Sequence, residues 1–190
     1  MKKIFVSVFS VLLMTACNNT SDTKKSDAVT PADKPVIAAS SGSGTEIKLT
    51  LTGGANAGVY SAVSAEPTCS MGLTGEKSFG NQYSVSGKAD NEFSSLQLLV
   101  DDYEAAKAGT EKFYIKVAFG KRLVGKAYEI NGSDNSIAGK KQGSGKITIT
   151  ETGGNKVAHV EGKTSDGVGI TADITCLSTI TTNNGQLQEK

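Results

Sequence analysis

The sequence predicts an all-β domain, in the form of an antiparallel two-sheet β-sandwich, with a closed β-barrel as the alternative and at most one short helix. The composition includes 22 glycines and no tryptophan, which favours a fold with many turns over a helical bundle. Apolar residues alternate with polar ones in several short runs, and this two-residue period is typical of half-buried antiparallel strands. Glycine-rich turn sequences separate these runs.

The alternation is clearest in four segments, residues 47–51, 113–119, 147–149 and 168–176. Between them, TGGN at residues 152–155 and SDG at residues 165–167 predict tight turns. Weaker strand candidates are residues 59–63, 79–85, 93–100 and 123–130. One short helix is predicted over residues 102–108, with Asp101 as its N-cap, Glu104 completing a capping box and Gly109 at its end.

The N-terminus has the pattern of a secretory signal. Lys2 and Lys3 precede an apolar run over residues 4–14, and two small residues then lead to Cys17. An apolar run of this length rises about 16 Å as a helix, whereas a bilayer core is roughly 30 Å thick. The pattern therefore predicts a signal peptide over residues 1–16 and not a membrane-spanning helix.

The sequence LMTAC at residues 13–17 resembles the lipobox of bacterial lipoproteins, with Met14 in place of the usual leucine and Leu13 one step earlier. The resemblance implies that the Cys17 thiol receives a diacylglyceryl group, that the signal is cut before Cys17, and that fatty acid such as palmitate also modifies the new N-terminus. The alternative is a free cysteine at the end of a signal. Since Asn18 and not aspartate follows, the resemblance implies a cell-envelope protein anchored in the outer membrane of a Gram-negative cell, or at the cell surface of a Gram-positive one.

Four regions are expected along the chain. Residues 1–16 are the signal peptide, and residues 17–45 are the lipidated cysteine and a flexible tether, whose few apolar side chains cannot offset the entropy of ordering. Residues 46–180 are the β-sandwich domain, and residues 181–190 are a polar C-terminal tail.

Two cysteines remain beyond Cys17, and we expect Cys69 and Cys176 to form a disulfide because thiols in exported proteins usually pair. Cys176 also shares the apolar phase of its strand with Ile174 and Ile170. The alternative is two separate buried thiols. No metal site is predicted, since His159 and two thiols do not supply the usual four ligands, and no cofactor is predicted.

The sequence ITADITC at residues 170–176, with Cys69 as an early partner, is similar to the end of the domain in the mycobacterial lipoprotein antigens. That family also has a lipobox and a polar tether. The resemblance implies a lipid-anchored β-sandwich and no enzymatic activity.

No catalytic residues are predicted. His159 is the sole histidine and is expected on the exposed face of a strand, and no nucleophile-elbow motif occurs. Asp101, Asp102 and Glu104 form an acidic cluster, but a glycosidase needs two carboxyl groups facing each other across a cleft, and these residues are interpreted as a helix start.

Two further loops are also interpreted as structural and not as binding sites. Residues 131–136, NGSDNS, contain oxygen donors for calcium but lack the spaced acids of an EF-hand, so they are interpreted as a turn. Residues 139–145 lack the ending of a phosphate-binding loop.

The charge balance bears on possible partners. The chain has 20 Lys and Arg against 19 Asp and Glu, with one arginine, Arg122, so no basic face for nucleic acid is expected. We therefore expect a non-catalytic envelope module that is attached to the membrane at Cys17 and binds a protein, a glycan or a lipid through loops at one end. The alternative is an envelope hydrolase acting on glycans through the acidic cluster, which a pocket lined by these acids would favour.

Overall fold

The structure, a computed structural model, describes residues 43–121, 124–183 and 186–188. Apart from one short helix, α1 (Tyr103–Ala108), and a 3-10 turn (Ser136–Ala138), the regular elements are strands. The strands are β1 (Thr45–Thr52), β2 (Gly58–Ser64), β3 (Cys69–Met71), β4 (Phe79–Ser84), β5 (Phe93–Val100), β6 (Phe113–Phe119), β7 (Ala127–Asn131), β8 (Ser144–Thr152), β9 (Asn155–Lys163), β10 (Gly169–Cys176), β11 (Ile180–Asn183) and β12 (Gln186–Gln188).

The first sheet has the strand order β2-β1-β10-β9-β8, and all its neighbours are antiparallel. The turn predicted at residues 152–155 joins β8 to β9. Thr152 pairs with Asn155, which leaves Gly153 and Gly154 as a two-residue turn with φ angles of 60° and 85°. Two consecutive positive φ angles fit the strand twist of a hairpin, and glycine adopts them without steric cost.

The second sheet has the strand order β12-β11-β3-β4-β5-β6-β7. Its neighbours are antiparallel except for β11, which runs parallel to β3. The two sheets have separate hydrogen-bond ladders, and no described strand closes them into one barrel. The prediction of an all-β sandwich with one short helix is confirmed.

The core lies between the inward faces of the two sheets. Alternate residues of β1 are buried there, so that Ile47, Leu49 and Leu51 are only 1–2% exposed. The ring of Tyr60 in β2 lies 4.9 Å, centroid to centroid, from that of Phe119 in β6, in an edge-to-face arrangement. Because this contact joins the two sheets, their inward faces share one apolar core.

Two facing glycines bring the end of the first sheet close to the second. Gly145 in β8 pairs with Gly162 in β9. A Cβ added at Gly162 would lie 2.6 Å from the carbonyl oxygen of Ser144 and 2.7 Å from Cδ1 of Ile130 in β7. A side chain is therefore excluded at Gly162, because the backbone of the neighbouring strand β8 and the Ile130 side chain of the second sheet already occupy this space.

The predicted disulfide is present and links the two sheets. Cys69 begins β3 in the second sheet, Cys176 ends β10 in the first, and their Cα atoms are 6.0 Å apart. Both residues are at most 1% exposed. The inward phase predicted for Cys176 is confirmed.

The helix begins one residue later than predicted. Asp102, not Asp101, is the N-cap, and its carboxylate accepts hydrogen bonds from the backbone N–H groups of Glu104 and Ala105. Glu104 therefore does not complete a capping box, and its carboxylate contacts Lys107 at 2.9 Å instead. The prediction of Asp101 as the N-cap was wrong because Asp101 and Asp102 are both good caps and only tertiary contacts distinguish them.

Candidate functional site

A groove lies on the outer face of the second sheet. We define the groove as the cavity of about 780 Å³ over strands β4 to β7. Its outward-facing side chains form two rows set by strand register. One row is Gln82, Gln97 and Lys116, and the other is Ser84, Ser95, Ala118 and Ala127.

The depth of the groove follows from the sizes of these side chains and from a bulge. The serine and alanine side chains of one row are short, whereas the glutamine and lysine side chains of the other row are long. The surface of the sheet is therefore lower along the row of serines and alanines. The register of β5 against β6 shifts between Phe93 and Ser95, and bulges of this kind bend a strand. The intervening Ser94 is 6% exposed, and its hydroxyl donates to the carbonyl oxygen of Ala118 at 3.1 Å.

Two loops border the end of the groove nearest the row of serines and alanines. Val85, Ser86 and Gly87 follow β4, and residues Gly120 and Lys121 follow β6. Gly120 has a φ of 74°, and an added Cβ would lie 2.8 Å from the Cα of Asp90. Only glycine fits this close approach, which positions Lys121 beside the groove.

The charged side chains lining the described part of the groove are Lys116 and Lys121, and both are cationic. Neither forms an ion pair with another described residue. Glu129 is directly across from Lys116 in strand register. However, its carboxylate accepts a hydrogen bond from Nε2 of Gln142 at 2.7 Å and one from the hydroxyl of Tyr114 at 3.4 Å.

Burial, followed by the neighbouring Glu129 carboxylate, raises the pKa of Tyr114 to about 12. The Tyr114 phenol is therefore a neutral hydrogen-bond donor at physiological pH. It donates a hydrogen bond to Glu129, which is not among the groove's lining residues. The lining itself combines cationic, amide and hydroxyl groups.

The acidic cluster does not line the groove, and each member has its own contact. Asp101 accepts a hydrogen bond from the hydroxyl of Ser133 and another, at 2.7 Å, from the backbone N–H of Asp134. Asp102 caps α1 and Glu104 pairs with Lys107. The structure thus assigns these carboxylates to the support of a helix and a loop.

Residues 132–135, within the segment predicted as a turn, form an irregular loop between β7 and the 3-10 turn. The side-chain oxygens of Asn131 and Asn135 accept hydrogen bonds from backbone N–H groups two residues later. Asp134 lies 2.8 Å from Lys112 and also pairs with Lys141, and these hydrogen bonds lower the pKa of its carboxyl group to about 2. The single acid of the loop is therefore held by two lysines.

His159 lies on the outer face of β9, as predicted. Its Nδ1 is 2.7 Å from the Asp173 carboxylate on β10, and its Nε2 is 3.1 Å from Glu161. The hydrogen bond with Asp173, more than the one with Glu161, raises the pKa of His159 against the opposing effect of burial. His159 lies on the first sheet and the groove on the second, so the imidazole does not line the groove.

The remaining sequence predictions concern residues outside the described ranges. Cys17, with the signal peptide and most of the tether, lies outside them, as does Arg122. In the described part of the chain, no three His, Cys, Asp or Glu side chains are grouped to hold a metal ion. No described helix is long and apolar enough to cross a bilayer.

No sequence motif marks the residues that line the groove. Outward polar residues such as Gln82 and Gln97 occur on any sheet face that contacts water, so they carry no distinguishing signal. Comparison with protein-family models, curated proteins and solved structures finds no match for this chain.

Proposed function

We propose that this chain is a lipid-anchored cell-envelope protein whose β-sandwich domain is a non-catalytic module that binds an acidic glycan in the groove. The lipobox-like sequence ending at Cys17 supports the anchor. The lining of the groove carries the binding part of the proposal, because it combines hydrogen-bonding groups with two lysines and, among the described residues, no acid.

The lining supports a glycan as the ligand class. The amides of Gln82 and Gln97 and the hydroxyls of Ser84 and Ser95 both donate and accept hydrogen bonds, as sugar hydroxyls require. The cavity volume is within the range of roughly 300–1,000 Å³ that is usual for small-ligand sites. These features favour a short segment of a polar polymer.

The two lysines support an acidic ligand. Lys116 is half-buried among the strands and Lys121 is exposed at the border of the groove. An ammonium group binds a carboxylate or phosphate more strongly than it binds a neutral hydroxyl. Because no described lining residue is a carboxylic acid, the cations are available to a ligand.

The same lining supports a non-catalytic role. Glycoside hydrolysis usually needs a pair of carboxyl groups on either side of the scissile bond. No aspartate, glutamate or histidine is among the described side chains that line the groove. We therefore infer binding without turnover.

Calorimetric titration with oligomers of galacturonic acid, compared with matched neutral galactose oligomers, tests the groove. We expect the acidic oligomers to bind and Lys116→Gln to weaken binding by about tenfold or more, since a charge-assisted hydrogen bond contributes roughly 1.5–3 kcal/mol. The matched control is Lys48→Gln, because Lys48 is an exposed lysine on the outer face of the first sheet. This variant should bind like the wild type. Equal loss in both variants, or equal binding of neutral oligomers, would contradict the proposal.

Metabolic labelling with a fatty-acid analogue tests the anchor separately. We expect the wild type to be labelled and to fractionate with membranes, and the Cys17→Ala chain to be unlabelled. If the Cys17→Ala chain were labelled as strongly as the wild type, the anchor would have to be elsewhere.

A further inference from the structure

Strand β2 forms one edge of the first sheet, and no described strand pairs with its free side. The free backbone N–H and C=O groups of an edge strand are a template for pairing with another chain, and proteins usually block such edges with lysine, proline or a bulge. The sequence of β2 is GVYSAVS, which contains no charge and no proline. Its pairing with β1 is continuous from Gly58 to Ser64, without a bulge.

Two other sheet edges are covered by backbone hydrogen bonds. On the first sheet, the N–H and C=O groups of Ile147 in β8 both bond to Thr110, at 2.9 Å each. On the second sheet, Asn131 in β7 makes the same pair of bonds to Gln142, at 2.7 and 3.0 Å. The edge at β2 differs from both in having no such cover among the described residues.

The outward face of β2 is also apolar. Val59 is 78% exposed and Val63 is 74% exposed, and between them is the small residue Ser61. Tyr60 and Ala62, on the inward face, pack against the core. A strand with one face anchored in the core and two exposed valines on the other is well suited to extend its sheet.

The arrangement of these residues selects a second copy of this chain as the partner. If two β2 strands pair in antiparallel orientation about a two-fold axis at Ser61, Val59 of each copy lies opposite Val63 of the other. An axis at Tyr60 or Ala62 would instead place a valine opposite Ser61 and lose both valine pairs. Shifting the register by one residue between the strands also changes which side chains share a face.

We propose that two copies of this chain associate by antiparallel pairing of β2 with β2 about a two-fold axis at Ser61, which joins two five-stranded sheets into one of ten strands. Such an interface is isologous, as in most homodimers. The Val59–Val63 cross-strand pairs stabilise it on the outer face, and β-branched pairs of this kind favour sheet formation.

Charges on the neighbouring strand do not oppose this pairing. Lys48 in β1 is directly across from Ser61, so the two copies of Lys48 would be three strand spacings apart, about 14 Å. This separation exceeds the Debye length of about 8 Å at physiological ionic strength. The outward neighbours of Val63 and Val59 in β1 are Glu46 and Thr50, which place no like charges opposite each other.

Cysteine cross-linking tests the axis. The experiment uses the full chain with Cys17→Ser, so that residue 17 contributes no thiol. In the proposed dimer the Cα atoms of the two residues 61 are about 4.5–5.5 Å apart, within disulfide range. We expect Ser61→Cys to form a reducible dimer on mild oxidation. Thr171→Cys, exposed on the same sheet face in β10, should remain monomeric on a non-reducing gel.

Two further variants test the register. Val59→Cys and Val63→Cys should each fail to cross-link alone, because like residues are four positions out of register, about 13 Å apart. Mixed before oxidation, the two chains should cross-link to each other. Cross-linking of either variant alone to the same extent as the mixture would overturn the proposed axis.

A charge on the edge tests the association itself. We expect Val63→Lys to raise the dimer dissociation constant at least tenfold in sedimentation experiments, and the matched Thr171→Lys to leave it unchanged, with circular dichroism confirming that both fold. A wild-type chain that is monomeric at several hundred micromolar would overturn the proposal. If the amides on the free side of β2, which make no hydrogen bond to β1, were also protected from hydrogen exchange in that monomer, the chain's own residues before position 43 would be the occupant of the edge.

Discussion

Reduction of the Cys69–Cys176 disulfide should destabilise the domain by several kcal/mol. The bridge closes a loop with a sequence separation of 107 residues and joins β3 of one sheet to β10 of the other. In the chain-entropy model, a loop of about 100 residues gives roughly 4.7 kcal/mol through restriction of the unfolded chain. Since measured values are usually smaller, we expect a loss of about 2–4 kcal/mol in the free energy of unfolding.

Equilibrium unfolding in urea measures this loss. With an m value of about 2 kcal/mol/M, the middle of the usual range in urea, the transition midpoint of the reduced protein should fall by roughly 1–2 M. The m value should increase on reduction, because the unfolded chain without the bridge is less compact and exposes more surface. Both changes follow from an effect on the unfolded state.

Two forms of the protein separate the cross-link from packing. Reduced wild type keeps both sulfur atoms in the core, whereas the Cys69→Ala/Cys176→Ala variant also removes their volume. Both residues are buried, so the double variant should lose more stability than reduced wild type because small cavities remain. If oxidised and reduced wild type differed by less than about 0.5 kcal/mol with equal m values, the constraint on the unfolded chain would not be the source of stability.

Two further predictions concern the first sheet. Because the hydrogen bond to Asp173 raises the pKa of His159, protonated His159 should stabilise the fold fully below about pH 6.5, and this contribution should be lost as pH rises through the folded-state pKa. Asp173→Asn should lower the imidazole pKa seen by NMR titration more than Glu161→Gln does, and an unchanged titration would contradict this assignment. Gly162→Ala should cost about 1–3 kcal/mol in urea unfolding, since its Cβ would clash with the Ser144 carbonyl and with Cδ1 of Ile130; wild-type stability would mean that these neighbours shift at little cost.

Local sequence patterns predicted several parts of the fold. The alternation in residues 168–176 predicted that Cys176 points inward, and the structure confirms this. The pattern is sufficient because successive side chains of a strand alternate between only two faces. Short-range signals were less decisive where neighbours compete: Asp101 and Asp102 are equally good caps, and contacts of Asp101 with residues 133 and 134 decide between them. Strands β3, β11 and β12 were missed because three or four residues are too few to show a period, and the last two include residues expected as a polar C-terminal tail.

The groove could not be predicted for a different reason. Its lining comes from β4, β5, β6 and β7, and Gln82 and Lys116 lie in one row, on either side of Gln97, only because β5 pairs with both β4 and β6. Each of these side chains is an ordinary outward polar residue within its own strand. The register shift of β5 at Ser94 also depends on its pairing with β6.

The sequence by itself determined which residues face the core, where the chain turns, and which two cysteines of the domain are available to pair. These are local properties, set by the two-residue period of a strand, by the backbone freedom of glycine and by composition. Only the tertiary structure decided how the strands divide between two sheets, that the disulfide crosses from one to the other, and which sheet face forms a groove. Strand pairing joins residues that are distant in the chain, and no local pattern specifies the partner.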